Sequence, residues 1–187
     1  GEVLQFRNAW DNARRFQPDD IVSSYKDIKE LLTKKHASSI GEYPFKELQD
    51  MSYGFHEGEV VLVTAQEGIG KTEILRAMEY HLLRTTQYNL GILHLEEDTT
   101  RVVQGIATYE LGIPAHLPDS NVSVEDILDA YESATRRDDR VHIFTHSGSD
   151  DPDSILERVR FLASACDCKF IFFDHISIVV SGLDDDN

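Results

Sequence analysis

The chain has 187 residues, a length typical of one domain or of one domain with an appendage. Its composition, 41% hydrophobic and 28% charged, excludes a disordered or fibrous protein. The net charge of −16 is uneven, with seven Lys and Arg against six Asp and Glu in residues 1–40, and eleven against twenty-eight in residues 41–187. The second part, at −17, should repel nucleic acid and anionic membranes unless a local basic patch intervenes.

The chain carries no sign of membrane insertion or secretion. No apolar run approaches the ~18 residues of a membrane span, and the opening GEVLQFRNAW lacks the basic-then-apolar order of a signal peptide. Two cysteines, Cys166 and Cys168, cannot form a disulfide framework, so we predict a reducing, intracellular environment and ordinary packing for both thiols. Because no initiator Met is present, we expect a fragment or processed product of a longer protein.

An amphipathic helix is predicted near residues 21–36, after an irregular segment at 1–20. Its apolar residues recur at helical spacing, at Ile21, Val22, Tyr25, Ile28, Leu31 and Leu32. One short helix cannot bury such a stripe by itself, so we expect it to pack on the next domain or on a neighbouring molecule. We therefore divide the chain into residues 1–40 and a main domain at residues 41–187.

The main domain alternates predicted strands and helices. Four apolar, β-branched or aromatic runs, at residues 59–64, 90–95, 141–144 and 170–173, are typical of strands covered on both faces. Stretches of helical periodicity lie between them, including one that opens with the cap Ser123 and one that opens at Pro152. This order predicts an α/β fold with a mainly parallel sheet flanked by helices.

Residues 65–72, AQEGIGKT, form a P-loop in which Ala65 replaces the usual first glycine. Gly68 and Gly70 allow successive N–H groups to turn around a phosphate, and the helix that follows adds the positive end of its dipole. Lys71 can reach the β- and γ-phosphates of a nucleotide, and the Thr72 hydroxyl can bind Mg²⁺. The whole run Glu67, Gly68, Ile69, Gly70, Lys71 and Thr72 is the predicted nucleotide-binding loop.

Two further strand ends offer carboxylates. The apolar run 170–173 ends in Asp174, the pattern of a Walker B metal carboxylate. Residues 93–98, LHLEED, end another strand with acids, of which one can orient the water that attacks the γ-phosphate. We favour Glu96, because strand alternation places Glu97 on the opposite side, and Asp98 or Thr99 is more simply a helix cap.

These motifs, in this order, resemble ring-shaped replicative DNA helicases with RecA-like cores. The likeness rests on HEGEVVLVTAQEGIGKTEILRA, LHLEEDTT and FIFFDHISIVVSG, and is greater to phage primase–helicases and mitochondrial Twinkle than to bacterial DnaB. PDDIVSSYKDIKELL resembles the linker helix that docks on the adjacent subunit in that family. The resemblance covers roughly residues 18–187.

The resemblance implies specific partners, cofactors and residue roles. ATP, or another NTP, and Mg²⁺ would be bound through Lys71, Thr72 and Asp174, with Glu96 as the catalytic base; His175 follows Asp174 as in the phage enzymes. The protein would form a homo-oligomer, a hexameric ring joined through residues 21–36, and would act on single-stranded DNA without a membrane partner. It would be found in host cytoplasm if phage-encoded, or in the mitochondrial matrix if Twinkle-like.

Several expectations remain open at this point. No DNA-binding loops, γ-phosphate sensor or arginine finger are recognisable in the sequence, so we expect negligible ATP turnover by these 187 residues alone. The motifs also permit a RecA-like recombinase or a signalling ATPase. A small-molecule P-loop kinase is a third alternative.

Overall fold

The computed structural model describes residues 24–33, 38–66, 68–136, 139–144 and 152–174. The chain divides into two units, Gly1–Ala37 and Ser38–Asn187. In the first, helix α1 spans Tyr25–Thr33, within the stretch predicted to be helical. The predicted irregular segment 1–20, and the remaining ends of the predicted helix at 21–23 and 34–36, lie outside the described residues. The boundary between residues 40 and 41 stays a prediction.

The second unit alternates strands and helices. In chain order it contains α2 (Lys46–Ser52), α3 (Lys71–Thr85), β1 (Asn89–His94), α4 (Thr99–Leu111), a 3-10 turn (Pro118–Ser120), α5 (Val124–Thr135), β2 (Val141–Ile143), α6 (Pro152–Ser164) and β3 (Cys168–Asp174). Among the described residues, no helix is both long and apolar enough to cross a membrane. The alternation confirms the predicted α/β class.

The three strands form one parallel sheet in the order β2-β1-β3. Leu90 of β1 lies opposite Val141 of β2 and Phe170 of β3, so β1 is the central strand. Its apolar run is buried on both faces, as expected of a strand covered by helices on each side. Because all three strands are parallel, their carboxyl ends, including His94 and Asp174, meet at one edge of the sheet.

Helices cover the sheet on two faces. On one face a core joins α3, α4, α5 and the sheet; its buried members include Leu82, Leu83, Leu90, Ile92, Ile106 and Phe170. On the other face Leu162 of α6 packs with Leu93 of β1. Gly91 allows that approach, because a Cβ on Gly91 would lie only 2.8 Å from Cδ1 of Leu162. The α3 face and the α6 face together make a helix–sheet–helix arrangement.

The helix ends follow their local sequence signals. Asp98 caps α4 by accepting a hydrogen bond from the Arg101 N–H at 2.8 Å, and Ser123 forms a capping box with Asp126 at the start of α5. Helix α4 ends at Gly112, whose φ of +66° is the left-handed conformation typical of a helix C-terminus. The predicted caps Asp98 and Ser123 are therefore confirmed.

The predicted strand at residues 59–64 is wrong. The structure has no strand there, and Val60 is 95% exposed. The segment forms one wall of a cavity of about 770 Å³, and β3 forms part of the other wall. Apolar, β-branched composition shows only that a run suits a pleated, half-buried surface. A strand also needs a paired neighbour about 4.8 Å away, which this segment lacks among the described residues.

Candidate nucleotide-binding site

The P-loop has the backbone conformation that its glycines predict. Gly68 and Gly70 have φ values of +77° and +94°, in the left-handed region, and Gly70 is the N-cap of α3. A Cβ at either glycine would find open space, so the backbone angle is what favours glycine there. Ile69 between them is exposed, and Glu67 lies outside the described residues.

The two predicted metal-binding oxygens lie together, although 102 positions separate them in the sequence. Thr72, on the first turn of α3, donates its hydroxyl hydrogen to Oδ2 of Asp174 at 2.6 Å. Asp174 is buried and ends β3, at the edge of the sheet where α/β proteins bind ligands. Lys71 and Asp174 line the same cavity. The start of the P-loop helix and the end of β3 thus form one site.

The donors at this site suit a hard divalent cation. A hydroxyl oxygen and a carboxylate oxygen are ligands that Mg²⁺ accepts, and this ion usually keeps several waters and phosphate oxygens instead of a complete protein cage. The described part of the chain contains no group of three or more His, Cys, Asp or Glu arranged to hold a metal. Thr72 and Asp174 therefore fit Mg²⁺ bound together with a nucleotide.

The adjacent acids Glu96 and Glu97 lie in different environments. Strand β1 ends at His94, and the Leu95 N–H donates to the carbonyl of Asp174 at 2.7 Å, so the following turn begins beside the P-loop site. Glu96 is exposed, whereas Glu97 is half-buried and accepts a hydrogen bond from the Arg76 guanidinium. The turn after β1 places the two side chains in different environments. The strand alternation that we predicted is not the cause, because both residues lie beyond the end of the strand. The role of Glu96 stays a prediction.

A buried ionic network that the sequence motifs did not predict lies behind this turn. His94 contacts carboxylate oxygens of Glu79 and Glu97, at 2.8 and 3.3 Å, and Arg76 bridges Glu97 and Glu73. Burial alone lowers the pKa of His94, but the hydrogen bonds and charges of Glu79 and Glu97 outweigh it and raise that pKa above its ordinary value.

A sequence signal for this network does exist. Glu79 lies three residues before Leu82 and four after Leu75, at a core position in the apolar pattern of α3. A carboxylate at such a position requires a buried partner. His175, which the resemblance implicated, lies outside the described residues.

Comparison with known proteins places these features in a family. A family model described as the DnaB-like helicase C terminal domain matches residues 42–187. A DNA helicase/primase of Enterobacteria phage T3 is 27% identical over 176 residues, which cover 91% of this chain and 31% of that protein. A probable plasmid replicative DNA helicase of Chlamydia trachomatis is 23% identical over 167 residues, or 87% of this chain and 37% of that protein.

A third relative is the replicative DNA helicase DnaC of Bacillus subtilis, 27% identical over 128 residues, which cover 67% of this chain and 27% of that protein. The chain thus spans about a third of the length of these relatives. The family model covers most of the chain, and the parallel α/β sheet with its P-loop helix agrees with the RecA-like fold of that family. The chain therefore belongs to the family of DnaB-like helicase C-terminal domains.

Proposed function

We propose that this domain binds and hydrolyses Mg·ATP as the motor of a replicative DNA helicase. The observation that carries the proposal is the 2.6 Å contact between Thr72 and Asp174 at the P-loop, which joins the two expected metal-side oxygens. Membership of the DnaB-like family supports a helicase over a metabolite kinase or a signalling ATPase. Such an enzyme acts where DNA is replicated, inside a cell.

Different residues of the P-loop bind different parts of the triphosphate. The backbone N–H groups around Gly68 and Gly70 face the phosphates, and the positive end of the α3 dipole adds to their attraction. Glu67 and Ile69 complete the loop, and Lys71 neutralises the β- and γ-phosphates. Thr72 and Asp174 would hold Mg²⁺, which would neutralise charge on the phosphate oxygens.

Glu96 is the proposed base for the attacking water. It follows Leu95, whose N–H bonds to the Asp174 carbonyl, so it lies at the carboxyl edge of the sheet with the P-loop. It is exposed, as a group that meets substrate water must be. Its neighbour Glu97 is engaged with Arg76 and His94 and is a poor alternative. A carboxylate in this place orients or deprotonates the water that attacks the γ-phosphate.

In the whole protein, hydrolysis drives translocation on single-stranded DNA within a hexameric ring. Helix α1 supports the ring, because Tyr25 and Leu32 on its apolar stripe are 81% and 82% exposed. A partner subunit that covers this stripe would bury it, as helices commonly do in grooves of other proteins. The net charge of −17 on residues 41–187 implies that DNA is bound through a local basic patch of the assembled protein.

The first test removes the charge that contacts the phosphates. Lys71→Ala in the intact protein should reduce ATP-driven unwinding of a forked duplex by about 100-fold or more, because one preorganised positive group on the phosphates is lost. Lys46→Ala is the matched control, since it removes an exposed lysine whose ion pair is with Asp50 in α2. Unwinding that survives Lys71→Ala contradicts the proposal. Phosphate transfer to a metabolite by the unaltered protein favours the kinase alternative instead.

A further inference from the structure

The strongest unexplained feature is a pair of ionisable side chains in the core. His94 at the end of β1 is 1% exposed, Glu79 in the middle of α3 is 0% exposed, and Nε2 of His94 lies 2.8 Å from Oε1 of Glu79. The other oxygen of Glu79, Oε2, is buried without a hydrogen-bond partner among the described residues. Two apolar residues of similar volume generally stabilise a core at least as well as such a pair. Stability alone therefore does not account for it.

The same imidazole also contacts the turn after β1. Its Nδ1 atom lies 3.3 Å from Oε2 of Glu97, so both ring nitrogens face carboxylate oxygens. The second oxygen of Glu97 accepts from Arg76, which also pairs with Glu73 one turn earlier on α3. Glu97 thus contacts His94 from the strand and Arg76 from the P-loop helix, and Nε of Arg101 on α4 lies 3.9 Å from the same carboxylate.

These contacts connect the turn that carries Glu96 to the helix that carries the P-loop. Glu73, Arg76 and Glu79 recur every three residues on α3, which begins at Lys71. On its other side the turn is tied to the sheet by the hydrogen bond from Leu95 to Asp174. A turn fixed from both directions holds its exposed side chain in a narrow range of positions.

We propose that His94 is a positioning residue: with Glu79 and Glu97 it fixes the turn at residues 95–98, and hence Glu96, relative to the phosphate-binding helix. The inference rests on the proposed ATPase function and adds to it a residue that touches neither nucleotide nor metal. Its effect belongs to the hydrolysis step, because substrate binding depends on the P-loop and not on Glu96.

The test separates positioning from stability by replacing both partners together. His94→Leu or Glu79→Leu alone leaves a buried ionisable group without its partner and is expected to destabilise the fold. The double variant Glu79→Leu/His94→Leu restores an apolar pair and should melt within about 4 °C of the unaltered protein. In the intact protein its kcat for ATP should nevertheless fall about tenfold, with KM changed by less than about twofold.

Glu110→Gln is the matched control. Glu110 also links α3 to neighbouring elements, through hydrogen bonds from Tyr80 and Ser133, but neither of these partners belongs to the turn. The kcat of the Glu110→Gln variant should stay within about twofold of the kcat of the unaltered protein.

A second measurement does not depend on activity. Amide hydrogen exchange at residues 95–98 should accelerate about tenfold or more in the double variant, with the rest of the sheet unchanged, because the turn has lost the contact between His94 and Glu97. An unaltered kcat in the double variant overturns the proposal and leaves the pair a packing feature. If the unaltered protein hydrolyses no ATP, the proposed function fails, and the exchange rates alone then decide whether His94 positions the turn.

Discussion

Gly105 shows how one residue can accommodate the ionic network. It lies inside helix α4, where glycine costs about 1 kcal/mol relative to alanine. A Cβ at this position would lie 2.7 Å from Nε and 3.0 Å from Cδ of Arg76. The Arg76 side chain is buried and held at its far end by Glu73 and Glu97, so it cannot easily move away. The missing methyl group therefore provides the space through which Arg76 reaches the turn.

We predict that Gly105→Ala destabilises the protein by about 1–2 kcal/mol, because displacement of Arg76 outweighs the gain in helix propensity. In an Arg76→Met background, Gly105→Ala should stabilise the protein by about 1 kcal/mol, because only the gain in helix propensity remains. Urea unfolding of the four proteins measures both values. Equal effects of Gly105→Ala in the two backgrounds would show that the glycine has no coupling to Arg76.

At the scale of elements, Glu110 joins three helices. Its Oε2 atom accepts from the Tyr80 hydroxyl of α3 at 2.8 Å, and its Oε1 atom accepts from Ser133 of α5 at 2.7 Å. Burial by itself raises the pKa of Glu110, but the hydrogen bonds from Ser133 and Tyr80 and the charge of Arg84 outweigh it and lower that pKa. The carboxylate form therefore stabilises the packing of α3, α4 and α5.

The direction of this pKa shift predicts that the contribution of Glu110 to folding stability depends on pH. Because the folded-state pKa of Glu110 lies below the ordinary glutamate value of 4.5, the stabilisation is present above that value and is lost as the pH falls through the folded-state pKa. Glu110→Gln should lower the melting temperature by a few degrees at pH 7 and by progressively less as the pH approaches 3. Asp129→Asn, at an exposed position on α5, is the control. A difference that is independent of pH would contradict the assignment.

At the scale of the whole molecule, helix α1 presents an apolar stripe that its own unit leaves exposed. Tyr25, Ile28 and Leu32 follow the helical period and are all exposed. Exposed apolar side chains that recur on one helix face are typical of a surface that another protein covers. This is the feature from which we infer that the helix joins subunits.

We expect Leu32→Asp in the intact protein to convert the proposed hexamer to smaller species, because a charge replaces an apolar contact at the proposed subunit boundary. Leu32→Met keeps an apolar side chain of similar volume and should preserve the assembly. Light scattering coupled to size-exclusion chromatography measures the masses. An unchanged mass for Leu32→Asp would exclude Leu32 from the subunit interface.

Much of the fold was predictable because its signals are local. The glycine spacing of the P-loop anticipated positive φ at Gly68 and Gly70, and Asp98 and Ser123 anticipated the starts of two helices. Three of the four predicted strands are present. The fourth, at residues 59–64, failed because pairing depends on the position of a neighbouring strand edge, which composition does not contain.

By itself, the sequence determined the P-loop, most of the order of strands and helices, and the candidate carboxylates, since each is encoded by residues a few positions apart. Only the tertiary structure decided that Thr72 meets Asp174 and that Glu97 accepts a hydrogen bond from Arg76. It also decided that Glu79 and His94 share the core. Contacts of this second kind join distant parts of the chain, so they depend on how helices and sheet pack and not on local conformational preference.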